Sequence, residues 1–293
     1  MKTFGSLLTA MVTPFNNDSS IDYLAAANLA KYLVENGSDG LVVAGSTGEA
    51  ATLSAEEKLR LFSVVLDAVG DKATVIAGTG SNDTKTTLNL TQEAEKLGVH
   101  GAMLVGPYYN KPPQEGLFQH FKTIAQSVSL PIIIYNVPGR TASNILPNTI
   151  LRLSEFSNIV AVKESSGNLD QVAEIRRITP PTFHIYSGDD SLTLPILSLG
   201  GSGLISVAAH IVGPRIREMI TCFHCGDTKK AHDIHLELLP IFRVLFITTN
   251  PIPVKTALHL MGYTGETFRL PLIPPTDVET AEIKRIMEQI HLL

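Results

Sequence analysis

The sequence predicts an α/β fold, a (β/α)8 TIM barrel with a C-terminal helical extension. Three observations carry that expectation. Eight short apolar runs recur within the first 207 of 293 residues. Each run is continuous rather than alternating, as in parallel strands covered on both faces. Their centres lie 20 to 34 residues apart, room for one crossover helix each, and the count stops at eight.

In chain order the predicted strands are 6–12, 40–44, 74–77, 101–105, 131–135, 159–163, 183–186 and 203–207. Between the second and third, Ser54-Ala55-Glu56-Glu57 reads as a capping box, in which hydroxyl and carboxylate satisfy each other's free amides. Leu59, Phe62, Leu66 and Val69 then form an apolar stripe, and Gly70 ends the helix. Leu117, Phe121, Ile124 and Val128 repeat that pattern ahead of Pro131, while Pro147 and Pro214 suit first helical turns, where a missing amide is tolerated. The barrel is thus expected to close near residue 224, giving a catalytic domain over 1–224. A helical domain over 225–293 follows, with helices at about 227–247, 253–261 and 277–291.

Composition narrows the function. Lys and Arg number 23 against 28 Asp and Glu, a net charge of −5, and no basic block stands ready to displace counterions from nucleic acid. At 44% hydrophobic and 17% charged residues the chain is too apolar for a disordered segment. Two cysteines exclude a disulfide framework and point to a reducing, cytoplasmic setting. The N-terminus turns polar over 13–20, too soon for a signal peptide, and no apolar run approaches membrane-spanning length.

In this fold the chemistry sits at the C-terminal ends of the strands. Those ends are polar here: Gly45-Ser46-Thr47-Gly48-Glu49, Gly106-Pro107-Tyr108-Tyr109-Asn110, Tyr135-Asn136-Val137-Pro138-Gly139-Arg140, Lys163-Glu164-Ser165-Ser166-Gly167 and Ser187-Gly188-Asp189-Asp190. Lys163 closes an apolar run, and strict alternation puts Ile159, Ala161 and Lys163 on one face. If that face is inward, desolvation disfavours the ammonium and frees an amine to attack a ketone; a lysine snorkelling outward is the plain alternative. Tyr135 could relay protons or be a core aromatic. The 45–48 loop offers hydroxyls and amides to a carboxylate, though such glycine turns are common. Arg140 could clamp a carboxylate or be a solvated loop arginine. Gly78-Thr79-Gly80 is no dinucleotide fingerprint, because Asp83 stands where the third glycine belongs. Cys222, His224, Cys225, His232 and His235 resemble a metal cluster, yet they fall on predicted helix without a knuckle turn, so no metal is expected. Asp189 and Asp190 read as caps rather than metal ligands.

Taken together, these strand ends resemble the pyruvate-dependent, N-acetylneuraminate lyase-like class I aldolase superfamily, over essentially the whole chain. The likeness runs from Leu8-Thr9-Ala10-Met11-Val12-Thr13-Pro14-Phe15 to Asn250-Pro251-Ile252-Pro253-Val254-Lys255. The stretches beginning at Gly106, Tyr135 and Lys163 resemble, more narrowly, the dihydrodipicolinate synthase (4-hydroxy-tetrahydrodipicolinate synthase) family. The resemblance implies a Schiff base between Lys163 and pyruvate, whose carboxylate Ser46 and Thr47 hold. It implies a proton relay of Tyr135, Thr47 and Tyr109, the last reaching in from a neighbouring subunit. Arg140 would orient L-aspartate 4-semialdehyde, and Gly188 and Ile205 would line the pyruvate pocket. The product would be 4-hydroxy-tetrahydrodipicolinate, on the way to diaminopimelate and lysine. No cofactor is implied, and the expected assembly is a homotetramer built as a dimer of dimers. Two rivals are a pyruvate aldolase acting on a sugar-acid aldehyde, distinguished by Arg140, and a non-catalytic carboxylate-binding barrel, distinguished by turnover. At positions matching the effector pocket of lysine-inhibited relatives stand Ala50, Ala51, Ala55, Lys58, Asn82, Thr86 and Tyr108. Thr86 lacks the carboxylate that would pair with an effector ammonium and Lys58 adds a like charge, so weak or absent inhibition by L-lysine is expected.

Overall fold

The structure, a computed structural model, describes residues 4–293. Eight parallel strands close into a barrel in chain order: β1 Leu7–Ala10, β2 Gly40–Val43, β3 Thr74–Gly78, β4 Gly101–Val105, β5 Ile132–Asn136, β6 Ile159–Glu164, β7 His184–Ser187 and β8 Gly203–Ser206. All eight lie within two residues of the predicted bounds at the ends that carry the site. β8 pairs with β1, Leu8 opposite Ile205, which removes every sheet edge.

Two apolar clusters result. Alternate strand residues, among them Leu8, Val42, Ile76, Ile133, Ala161, Tyr186 and Ile205, fill the barrel interior. The other strand faces pack against the surrounding helices in a larger outer cluster, which the helices after His224 join through Ile234, Leu238 and Ile283. That shared core explains why the strands read as continuous apolar runs: both faces are dry.

Local punctuation acts as expected. Ser54 and Glu57 form the capping box at the head of helix Ala55–Val69. The buried face of that helix is Leu61, Phe62, Val65 and Val69, so the predicted stripe is displaced, with Leu59 and Leu66 only flanking it. Phe62 and Val69 belong to both faces, and Leu61 and Val65 take the places of Leu59 and Leu66 because apolar residues occupy both rows. Pro147 begins helix Pro147–Leu153. Val212 (φ −129°, ψ 28°) breaks helix Ala209–His224, leaving Pro214 in the first turn after the kink. The later helices are Thr228–Val244, Ile252–Leu260 and Asp277–Gln289. Among the described residues no helix is long and apolar enough to cross a membrane.

Candidate active site

β5 and β6 set the centre of the site. Ile132 pairs with Ile159 but Ile133 pairs with Ala161, so β6 carries one extra residue there. The bulge sends Ile159 to the outer cluster, which corrects the strict alternation read from sequence, while Ala161 stays inside. Tyr135 then stands opposite Lys163, and Lys163 opposite Tyr186, three side chains at one level of the barrel. Lys163 is 4% exposed. Its Nζ lies 4.4 Å from the centroid of the Tyr135 ring, and among the described residues it has no carboxylate partner.

β7 supplies the floor beside the lysine. A Cβ placed on Gly188 would sit 2.8 Å from Lys163 Cε and 1.9 Å from Ser165 Oγ, so only glycine leaves room for the lysine stem. The Gly188 amide donates to the Glu164 carbonyl at 2.9 Å, fixing that approach. Ile205 is fully buried on the inner face of neighbouring β8. Behind its end, the wholly buried Asp190 accepts from the Ser206 hydroxyl and from the amides of Val207 and Ala208. Burial lifts its carboxyl to about 6, and those three donors oppose the rise.

The loop after β2 is built as a cradle. Ala44 (φ 52°) and Glu49 (φ 55°) both take the left-handed conformation, uncommon for residues with a Cβ. A Cβ on Gly48 would press on Ala44 backbone at 3.0 Å. The amides of Gly48 and Ala50 return to the Gly45 carbonyl, and that of Glu49 to Ser46. Those of Ser46 and Thr47 are left without a protein acceptor among the described residues. Two free amides beside two hydroxyls suit a carboxylate. Ser46, Tyr135 and Arg140 line one cavity of about 310 Å3. Thr47 is buried behind it, its Oγ1 accepting from Asn250 Nδ2 at 3.0 Å. Arg140, in the short turn Pro138–Thr141, donates to the Asn250 carbonyl at 3.0 Å.

Tyr109 is not brought to this group. It is 89% exposed, on a left-handed backbone (φ 71°), and does not line its own chain's cavity. Of the residues matched to an effector pocket, Ala50, Ala51, Lys58 and Tyr108 line the same cavity, whereas Ala55, Asn82 and Thr86 do not. Lys58 has no carboxylate partner among the described residues, and burial pulls its ammonium below the usual lysine range. Cys222 is half-buried and Cys225 exposed, and among the described residues no three His, Cys, Asp or Glu side chains gather as metal ligands. Asp189 caps the turn that follows it through the Ser191 amide.

Several supporting residues escaped the sequence reading. Glu49 and Lys255 form a wholly buried ion pair at 2.6 Å, with Lys255 also donating to the Thr267 carbonyl and lying over the Phe15 and Phe268 rings. Directly after Tyr135 and Lys163, Asn136 and Glu164 turn to the outer face. There the Asn136 amide donates to the carboxylate, and Gln171 and the Ser166 amide complete its shell. His210 accepts from the Val12 amide at 3.1 Å and bonds the Val207 carbonyl, tying the end of β8 to the chain leaving β1. Burial drives its pKa down to about 4, so the bridge is a neutral imidazole. The available signal was a charged or amide residue inside an apolar stretch, as at Lys255 and Asn250.

The Dihydrodipicolinate synthetase family matches residues 3–290. The chain is 58% identical over 291 residues to a 4-hydroxy-tetrahydrodipicolinate synthase of Desulforamulus reducens, covering 99% of this chain and 98% of that protein. It is 57% identical over 289 residues to the 4-hydroxy-tetrahydrodipicolinate synthase of Heliobacterium modesticaldum, covering 99% and 96%. Among solved structures, the DHDPS of Cyanidioschyzon merolae with lysine bound superposes with a TM-score of 0.98 at 48% identity, covering 99% of both chains.

Proposed function

The chain belongs to the dihydrodipicolinate synthetase family and condenses pyruvate with L-aspartate 4-semialdehyde to 4-hydroxy-tetrahydrodipicolinate, and we propose that Lys163 carries this lyase reaction as a Schiff base. The observation that supports the assignment is a lysine on the inner barrel face, 4% exposed and 4.4 Å from the Tyr135 ring, with no carboxylate paired to it among the described residues.

These positions support the following steps. Pyruvate's carboxylate sits on the Ser46 and Thr47 hydroxyls and amides, next to the Lys163 amine. The amine adds to the ketone, the ketone oxygen leaves as water, and the iminium loses a methyl proton to become an enamine. The Tyr135 phenol and Thr47 hydroxyl carry these protons, with Tyr109 of a second copy completing the relay; its 89% exposure in one chain supports that reading. Arg140 holds the semialdehyde carboxylate while the enamine carbon attacks the aldehyde. The substrate's own amine then displaces Lys163, closing the ring. Gly188 and Ile205 shape the pyruvate end. Burial of the reacting amine excludes water that would hydrolyse the imine early. We place the enzyme in the cytoplasm as a homotetramer of two dimers, the dimer being the unit that completes each site.

Incubation with pyruvate and borohydride tests the assignment. A reduced adduct is expected on Lys163 by peptide mass mapping, and an adduct elsewhere, or none, overturns it. Arg140→Ala should retain this adduct while losing use of the semialdehyde. If Arg140→Ala uses the semialdehyde as well as wild type does, Arg140 is not the group that holds that substrate.

A further inference from the structure

Asn250 lies outside the barrel, in the turn before helix Ile252–Leu260, yet it touches both halves of the site. Its side-chain Nδ2 donates to Thr47 Oγ1 at 3.0 Å, in the loop after β2. Its main-chain carbonyl accepts from Arg140 Nη2 at 3.0 Å, in the turn after β5. The side chain is buried, and its Oδ1 has no hydrogen-bond partner among the described residues. A buried amide oxygen left unpaired is destabilising. An apolar side chain would avoid that cost, so stability alone does not account for an asparagine here.

The direction of the bond to Thr47 has a chemical consequence. An amide N–H can only donate, so it occupies a lone pair of the hydroxyl and leaves the hydroxyl's own proton free. Reversed, the hydroxyl would spend its proton on Asn250 and have none to pass on. We infer that Asn250 is a positioning residue of the reaction: its amide sets the direction of proton transfer through Thr47, and its carbonyl holds Arg140 to the same cavity. Proton relay and aldehyde recognition are thereby aligned by one residue of the 225–293 segment. The inference rests on the roles proposed above for Thr47 and Arg140.

Asn250→Asp tests it with almost no change of shape. An ionised carboxylate can only accept, so it turns the Thr47 hydroxyl toward itself. The turnover number should fall roughly 10-fold or more at pH 8, within the range general acid–base groups supply. The ratio of variant to wild-type turnover should recover as pH falls and the introduced carboxyl regains a proton it can donate. In a cycle with Thr47→Val, Asn250→Asp should add no further loss, because its effect passes through that hydroxyl. Wild-type turnover in Asn250→Asp, a pH-independent ratio, or losses that multiply in the double variant would each overturn the inference. Should Asn250→Asp fail to fold, Asn250→Ala in the same cycle carries the same expectation. Borohydride trapping on the same samples reports separately on Lys163: an adduct missing from wild type strikes the Schiff-base assignment, whereas the cycle, read on overall turnover, still decides the role of Asn250.

Discussion

Single atoms decide much at this site. The space above Gly188 is filled by the Lys163 stem and the Ser165 hydroxyl, so one methyl group must displace the Lys163 side chain. Gly188→Ala is therefore expected to keep its fold but lose turnover by roughly 100-fold, the scale of a 1 Å misplacement. Steady-state kinetics beside a thermal melt checks both halves of that statement. His210 makes a prediction about stability instead. Its folded pKa of about 4 lies below the ordinary 6.5, so its contribution is present above pH 6.5 and is lost as pH falls toward 4. The loss is on the order of 3 kcal/mol at most. His120, buried and likewise near 4, acts in the same direction. His210→Gln, which can keep an acceptor for Val12, should flatten the stability curve between pH 6.5 and 4 in urea titrations. An unchanged curve would remove His210 from the acid response.

At the scale of elements, the loop after β2 is held in place by distant chain. Glu49, on its strained left-handed backbone, meets Lys255 206 residues later, and Arg269 adds its amide to the same carboxylate. Removing only the cation leaves a carboxylate buried and uncompensated. Lys255→Met should destabilise by about 3–5 kcal/mol, with Glu49→Gln/Lys255→Met recovering part of it. Losses of the two single variants that simply add in the double variant, measured by denaturant unfolding, would show that the pair is not coupled. The same element shows what was legible. The Gly45-Ser46-Thr47-Gly48 turn stood out because small and hydroxyl residues followed an apolar strand. Its anchors did not stand out, because a lysine in an apolar helix reads as ordinary until its partner is known. The β6 bulge was equally hidden: Val160 carries no composition cue, and pairing with β5 alone makes it the extra residue.

At the scale of the whole molecule, the proposed site draws Tyr109 from a second copy. Tyr109 projects from the surface on a strained turn, and the cavity of its own chain does not receive it. Tyr109→Phe should lower turnover about 100-fold without unfolding the protein. Mixing it with Lys163→Ala and reassembling should restore partial activity, since some hybrid sites gain both groups. Proven hybrids that stay inactive would confine Tyr109 to its own chain. L-lysine is expected to inhibit weakly or not at all. Lys58 brings an unpaired cation to that side of the cavity, and Thr86 offers an effector ammonium no carboxylate. Submillimolar inhibition in a steady-state assay would reverse this.

By itself the sequence determined the barrel, because burial on both faces writes each parallel strand as an unbroken apolar run. It also marked Lys163, Tyr135, Ser46, Thr47 and Arg140 as candidates, since polar residues ending such runs must sit at a barrel mouth. Only the tertiary structure decided which of them meet and what steadies them. Asn250 and Thr47 are 203 residues apart and Lys255 and Glu49 are 206. Hydrogen bonds and ion pairs across such separations depend on how the extension folds back over the barrel, and no local period or propensity records that path.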